Sequence, residues 1–315
     1  MFAELYQKLL EALRYWLGIL ASASKNWLDS QAFIYAAALA FFTVFSIAPI
    51  MVVVVTVVGF VLGERAARGE LLEQLEGVLG TEAAEMVEIA VINSQIDQSG
   101  IWPALIGIIA TVVGATTVFA QLQQSLNQIW DVVPRPSRNG MWLLIKARVL
   151  SLSMVLAIGF VLLVSLLLSV VLRSIMAFAD QWLPVPASAA VALELTVSLG
   201  VVTFLLAAMF KILPDVQLTW RDVIVGALVT AILFTLGRSL IALYLANTAT
   251  ASTYGAAGSL AVLLLWVNYS SLILLFGAAF TRAHLEARGL PLRPARGAIC
   301  VHRELVEEPY TSTGG

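Results

Sequence analysis

The stretch YGAAGSLAVLLLWVNYSSLILLFGAAFTR, Tyr254 to Arg282, carries no acidic or basic side chain before its final arginine. Uncharged apolar runs of about 18 residues or more read as transmembrane helices, because about 20 residues at helical rise cross a hydrocarbon core of roughly 30 Å. Working outward, the same reading recurs along the chain. Tyrosine aside, no ionisable side chain occurs from Ser30 to Gly63, from Gln98 to Trp130, from Val149 to Leu172, or from Ser239 to Thr281. The 315-residue chain is 60% hydrophobic and only 12% charged, with a mean hydropathy of +0.92. A soluble domain carries about 25% charged residues. The expected class is an all-α polytopic membrane protein. None of the apolar segments alternates with the period of a strand, which argues against a β-barrel.

Six spans are expected, at about 32–63, 101–120, 147–172, 187–210, 223–245 and 255–280, so the transmembrane domain covers 32–281. Prolines at 134, 136, 184, 186 and 214 mark ends between them. The first span, at roughly 48 Å of helix, is longer than the core is thick and must tilt, kink or protrude. Pro49 lies in its middle, cannot donate an N–H and crowds the carbonyl of Phe45, so a kink is expected near Phe45–Pro49, with Ser46 placed to re-satisfy the loosened backbone. The second span is expected to continue as helix through Trp130. Ahead of the spans, residues 1–31 place Leu5, Leu9, Leu13, Trp16 and Leu20 at helical spacing, with Glu4, Lys8, Glu11 and Lys25 elsewhere. That pattern suits an amphipathic helix lying in the membrane interface, and equally a helix packed on the protein itself. Residues 64–100 form an acidic insert with seven glutamates and Asp97, read as two short amphipathic helices. The tail, 282–315, is expected to be flexible, since Arg293 onward has no apolar period.

Charge sets the orientation and removes several classes. Fourteen of the eighteen lysines and arginines fall on the side of the N-terminus, three on the opposite side, and Arg238 within a span. The positive-inside rule then puts both termini in the cytoplasm and the 64–100 insert in the periplasm. A net charge of −2 argues against a nucleic-acid surface, which needs a basic face. The single cysteine, Cys300, excludes an internal disulfide framework and a cysteine-rich metal site. No cofactor or metal is expected.

Polar groups trapped in apolar segments are the candidate functional residues. Glu194 lies about 10 Å from the outer end of the fourth span and Arg238 about 12 Å from that of the fifth, so consecutive antiparallel helices bring two opposite charges to one depth. Such a charge costs about 2.5–3.5 kcal/mol on insertion scales unless paired or wet. A shared pair or cavity satisfies that demand; so does snorkelling of Arg238 outward past Tyr244. Asn268, Tyr269, Ser270 and Ser271 sit near the middle of the sixth span, where polar side chains bond between helices or line water. Tyr254, at its outer end, belongs to the same pathway reading or to an aromatic belt. Ser46 and Pro49 form a third candidate, because a broken helix exposes carbonyls to a solute. At the inner end of the second span, Gln121, Gln123, Gln124, Ser125, Asn127 and Trp130 read either as a solvated helix end or as a cytoplasmic gate, with Gln124, Asn127 and Trp130 the gate residues.

Four local sequences occur together in order: AAALAFFTVFSIAPI (Ala36–Ile50), TTVFAQLQQSLNQIWDV (Thr116–Val132), KILPDVQLTWRDVIVGAL (Lys211–Leu228) and the opening stretch at Tyr254–Arg282. Together they resemble the YihY/virulence factor BrkB family of bacterial inner-membrane proteins, from about Ala32 to Arg282. The resemblance implies six helices with cytoplasmic termini. It also implies links to virulence and serum resistance, to transport of lipids or lipopolysaccharide precursors, and to small-solute or ion exchange. An old ribonuclease BN label travels with it.

Three function classes follow. The first is a transporter or exporter of a lipid, envelope precursor, small solute or ion, acting through a polar cavity in the bundle, with membrane lipids as partners. Six spans without an inverted repeat are few for a carrier, so a homo-oligomer or a lipid-facing groove is expected to compensate. The second is a non-transporting scaffold or accessory subunit that meets a periplasmic or envelope partner at 64–100. The third, an enzyme, has little to stand on: Asp131, Asp215 and Asp222 are scattered, His284 and His302 lie apart, and no P-loop or G-x-S-x-G motif occurs.

Overall fold

The computed structural model describes residues 2–62, 101–135, 153, 187–247, 256–295 and 297–301. They form six helices: α1 (Phe2–Asp29), α2 (Ala32–Leu62), α3 (Ile101–Ile129), α4 (Ala187–Ile212), α5 (Trp220–Asn247) and α6 (Ala256–Ala287). Two short strands, β1 (Val132–Pro134) and β2 (Ala298–Cys300), complete them. The expected third span, the insert at 64–100 and the end of the tail lie outside the described residues. Among the described residues, Trp220–Gly237 and Leu260–Ala287 are long and apolar enough to cross a membrane. Tyr6–Asp29 and Ala32–Ile47 make a third only if they are taken as one span broken by a 65° bend.

That bend has a local cause. Gln31 adopts φ 57°, the left-handed region, which ends α1. The Gln31 carbonyl then accepts from the amides of Ile34 and Tyr35 and starts α2. α1 presents one face to α6: Ile19 and Ala23 are buried beside Phe280 and Ala283, and the Trp16 ring stacks 5.7 Å from that of His284. The neighbouring stripe of Tyr6, Leu13, Leu17, Leu20 and Leu28 remains exposed. The helix therefore packs on the protein and keeps a second apolar face outward.

α6 is the shared partner, packing against α1, α2, α5 and the end of α3. Its contact with α5 rests on a reciprocal sequence device. Gly226 and Thr230 lie four residues apart on α5, as do Gly277 and Thr281 on α6, so each pair occupies one helix face. A Cβ on Gly226 would collide with Thr281 Oγ1, and one on Gly277 with Thr230 Oγ1. Each threonine hydroxyl donates back to its own glycine carbonyl, Thr230 to Gly226 at 2.6 Å and Thr281 to Gly277 at 2.8 Å. The hydroxyls are thereby satisfied within their helices, and the opposing glycines let the backbones close. Gly114 on α3 does the same for α2, since a Cβ there would fall 2.7 Å from Pro49 Cγ.

The main core gathers at one end of the bundle. Leu126 and Ile129 from α3, Trp130 just after it, Phe210 from α4, Val223 from α5 and Leu275 from α6 are all fully buried there, joined by Ala32 and Ala36 at the start of α2. Where a helix end meets water, each such side chain contributes about 1.5–3 kcal/mol.

The expectation of a flexible tail from 282 is corrected as far as Val301. α6 continues to Ala287 and closes with a Schellman turn: Gly289 takes φ 68°, its amide donates to Glu286, and Leu290 donates to Leu285. β2 then pairs antiparallel with β1, Val132 opposite Cys300 and Pro134 opposite Ala298. The same segment also pairs with the α4–α5 link, through Gln217 N–H to Arg293 O (2.8 Å) and Ala295 N–H to Asp215 O (2.9 Å). An aperiodic segment can be fixed by backbone hydrogen bonds alone, which leave no hydropathy pattern.

Replacing Gly226 with alanine is expected to overpack this crossing, at a cost of about 1–3 kcal/mol. The thermal midpoint of the detergent-solubilised protein should fall, and Thr281→Ala added to Gly226→Ala should restore part of the loss. Simple additivity of the two losses would rule the reciprocal contact out.

Candidate functional site

Polar groups occur in two settings, a bonded cluster at the packed end of the bundle and isolated groups further along the helices. The cluster begins with helical spacing. Gln123 and Asn127 are four residues apart, so they share one face of α3 and both meet the Pro214–Asp215 turn between α4 and α5. Asn127 Nδ2 donates to Asp215 Oδ2 at 2.8 Å, and the Asp215 amide donates back to Asn127 Oδ1 at 2.8 Å. Gln123 Nε2 adds a long contact of 3.5 Å to Asp215 Oδ1. Asn127 is buried, so this two-point bond accounts for both ends of its amide.

Beside it, two residues past the end of α3, Asp131 takes φ 49°, a conformation aspartate tolerates. Terminal carbonyls of a helix lack intrahelical partners. Arg282 supplies one from α6: its Nη1 donates to Ile129 O at 2.6 Å and to Asp131 Oδ2 at 2.7 Å, while Nε donates to Glu286 at 2.8 Å. The guanidinium is 16% exposed, and its fork serves two helices at once. Asp131 also accepts from the Val301 amide, which ties the tail to the same point.

The isolated groups are of another kind. Ser46 on α2 is buried, two turns beyond the buried Ala36 and Leu39. Pro49, inside α2, seats its ring against Gly114 of α3. Asn268 on α6 shares a helix face with Leu272, Leu275 and Ala279, which pack into the main core. Its Oδ1 is buried and has no hydrogen-bond partner among the described residues.

The expected residues fall as follows. Ser46, Pro49 and Asn268 are all on inward faces. Asn127 and Trp130 are buried together at the packed end, whereas Gln124 is exposed and does not join them. Glu194 is carried by α4 and Arg238 by α5, helices that pack on each other. Their side chains, and Tyr254, lie outside the described residues. Asp215 and Arg282 were not singled out as site residues from sequence. The proline before Asp215 signals only a turn, and Arg282 reads only as a positive charge at the end of a span.

A helical membrane protein is what these elements define. The comparisons place it further. The chain matches the virulence factor BrkB family over residues 23–298, most of its length, and belongs to that family. It is similar to the UPF0761 membrane protein MS0032 of Mannheimia succiniciproducens, 28% identical over 260 residues covering 78% of this chain and 82% of that one. It is also similar to the Bacillus subtilis protein YfkH, whose name describes it as ribonuclease-like, at 26% identity over 259 residues, 81% of this chain and 90% of the other. A shorter stretch of 73 residues is 41% identical to a UPF0761 membrane protein of Bordetella petrii, covering 23% of this chain and 16% of that one. No solved structure matches.

Removing the Asn127 amide strands the Asp215 carboxylate, and losing a hydrogen bond to a charged group costs about 1.5–3 kcal/mol. Asn127→Ala should therefore lower the thermal midpoint in detergent. Asn127→Asp, which sets two carboxylates face to face, should lower it further, and an Asn127→Asp protein as stable as the parent would contradict the assignment.

Proposed function

We propose that the chain is a transporter or exporter of the bacterial inner membrane. It moves a lipid, an envelope precursor, a small solute or an ion along polar groups inside a bundle of six spans, with both termini in the cytoplasm. The observation that carries the reading is Asn268. A buried amide oxygen with no protein partner among the described residues, on an inward helix face, has an unmet need that water or a passing solute satisfies. Ser46 and the Pro49–Gly114 contact support it, because Pro49 takes one N–H from the hydrogen-bond ladder of α2 beside a buried hydroxyl. The 14-to-3 division of basic residues supports the orientation. Glu194 and Arg238 are the ionisable members of the pathway.

The ribonuclease-like name of the B. subtilis relative gives the competing reading, and the same preparation tests both. Purified protein in proteoliposomes should move labelled phospholipid or a small solute. Asn268→Leu should reduce that flux about tenfold, the loss expected for about 1.4 kcal/mol of polar interaction. Glu194→Arg or Arg238→Glu alone should abolish it, and the double reversal should recover part. Absence of flux for every solute offered would favour a scaffold acting through residues 64–100, and metal-dependent RNA cleavage by the same protein would favour the enzyme.

A further inference from the structure

An exposed apolar strip winds along α5. Trp220, Ile224, Leu228, Ile232 and Leu236 recur every four residues, are each between 40% and 58% exposed, and wind about 40° further round the helix at each step. From first to last they run about 24 Å at helical rise, and the chains of one leaflet, about half of a roughly 30 Å hydrocarbon core, cover the part nearest Trp220. At the Trp220 end the apolar wall acquires a cation. Lys211, in the last turn of α4, lays its Nζ 4.4 Å over the Trp220 ring, and Phe204, itself half-exposed, stacks on the same ring at 5.8 Å. The ammonium is thus held on an aromatic surface at the edge of the apolar stripe.

The nearby carboxylates are otherwise engaged. Asp222 accepts from the Thr219 amide and hydroxyl and meets Arg288 at 3.5 Å, while Asp215 is bonded to Asn127. Among the described residues neither Lys211 nor the exposed Arg221 has a carboxylate partner. Positive charge left open beside an indole, above an exposed apolar strip, complements a phosphodiester with its chains attached.

We propose that Lys211 and Trp220 form a headgroup site for an anionic phospholipid whose acyl chains lie along the Ile224–Ile232 part of the exposed α5 strip. The site needs only membrane residence, and it stands or falls apart from transport. Full-length protein in neutral detergent, offered equal amounts of phosphatidylglycerol and phosphatidylcholine, should retain phosphatidylglycerol preferentially when bound lipids are counted by native mass spectrometry. Lys211→Gln should reduce that preference about fivefold, the worth of one basic residue at an anionic surface, and Lys211→Glu should reduce it further. Trp220→Leu, which keeps the wall and removes the ring, should also reduce it. Circular dichroism melts establish that each variant is folded, and the neutral glutamine variant serves if the reversal does not fold. Soluble glycerol phosphate in excess should leave the lipid in place. An unchanged lipid ratio in Lys211→Gln, or displacement by glycerol phosphate, would overturn the proposal.

Discussion

Close approach of α5 and α6 is the constraint from which the packed end follows. In lipid, helices gain little from hiding apolar surface, because the solvent is itself apolar; contact distance and satisfied polar groups decide which helices stay together. Gly226 and Gly277 remove the side chains that would separate these two, and Thr230 and Thr281 fill the space without leaving a hydroxyl unpaired. That contact fixes the rotation of α6 about its axis. Arg282 is the next residue after Thr281, so the same rotation determines where its guanidinium can reach. It reaches the open carbonyl at the end of α3 and the Asp131 carboxylate beyond it. A change in the α5–α6 register would move Arg282 off α3, and the Asp131–Val301 link would lose its anchor.

The helices were legible because charge marks where apolar segments stop. α2 begins at Ala32, directly after the polar Ser30–Gln31 pair. α6 was harder, since it runs past Phe280 to Ala287 on an amphipathic turn that a hydropathy argument ends too early. Gly289 was available as a stop signal, and its left-handed backbone confirms that role. The tail was opaque for a different reason. Pairing of Ala298–Cys300 with Val132–Pro134 joins segments far apart in the chain through backbone groups that every residue possesses. The candidate site shows the same limit. Asn127 stood out as a polar residue at a helix end, but its partner Asp215 lies 88 residues away and carries no mark of the pairing. Gln124 was grouped with Asn127 by proximity in sequence; it lies about 60° to one side of Asn127 and is exposed, while Gln123 lies about 40° to the other side, towards Asp215.

The bonded cluster and the isolated groups are suited to different work. At the packed end, Asn127, Asp215, Asp131 and Arg282 are each bonded to another of these groups or to the backbone, and the strands and the Arg293–Ala295 segment add backbone bonds around them. Opening such an arrangement would strand several donors and acceptors at once, each costing about 1–3 kcal/mol if buried. A gate built from these residues would move only against that cost.

The Asn268 oxygen and the Pro49 nitrogen have no hydrogen bond to lose in a rearrangement. An unbonded amide oxygen gains a partner when a solute or water arrives, and a helix already missing one N–H at Pro49 bends without breaking a further bond. The packed end is held by the bonds among Asn127, Asp215, Asp131 and Arg282, although Trp27 Nε1, Trp130 Nε1 and His284 Nδ1 near it, like Asn268 Oδ1 further along, have no partner among the described residues. A bend costs least near Pro49, and the clasp at the end keeps α3, α5 and α6 in register.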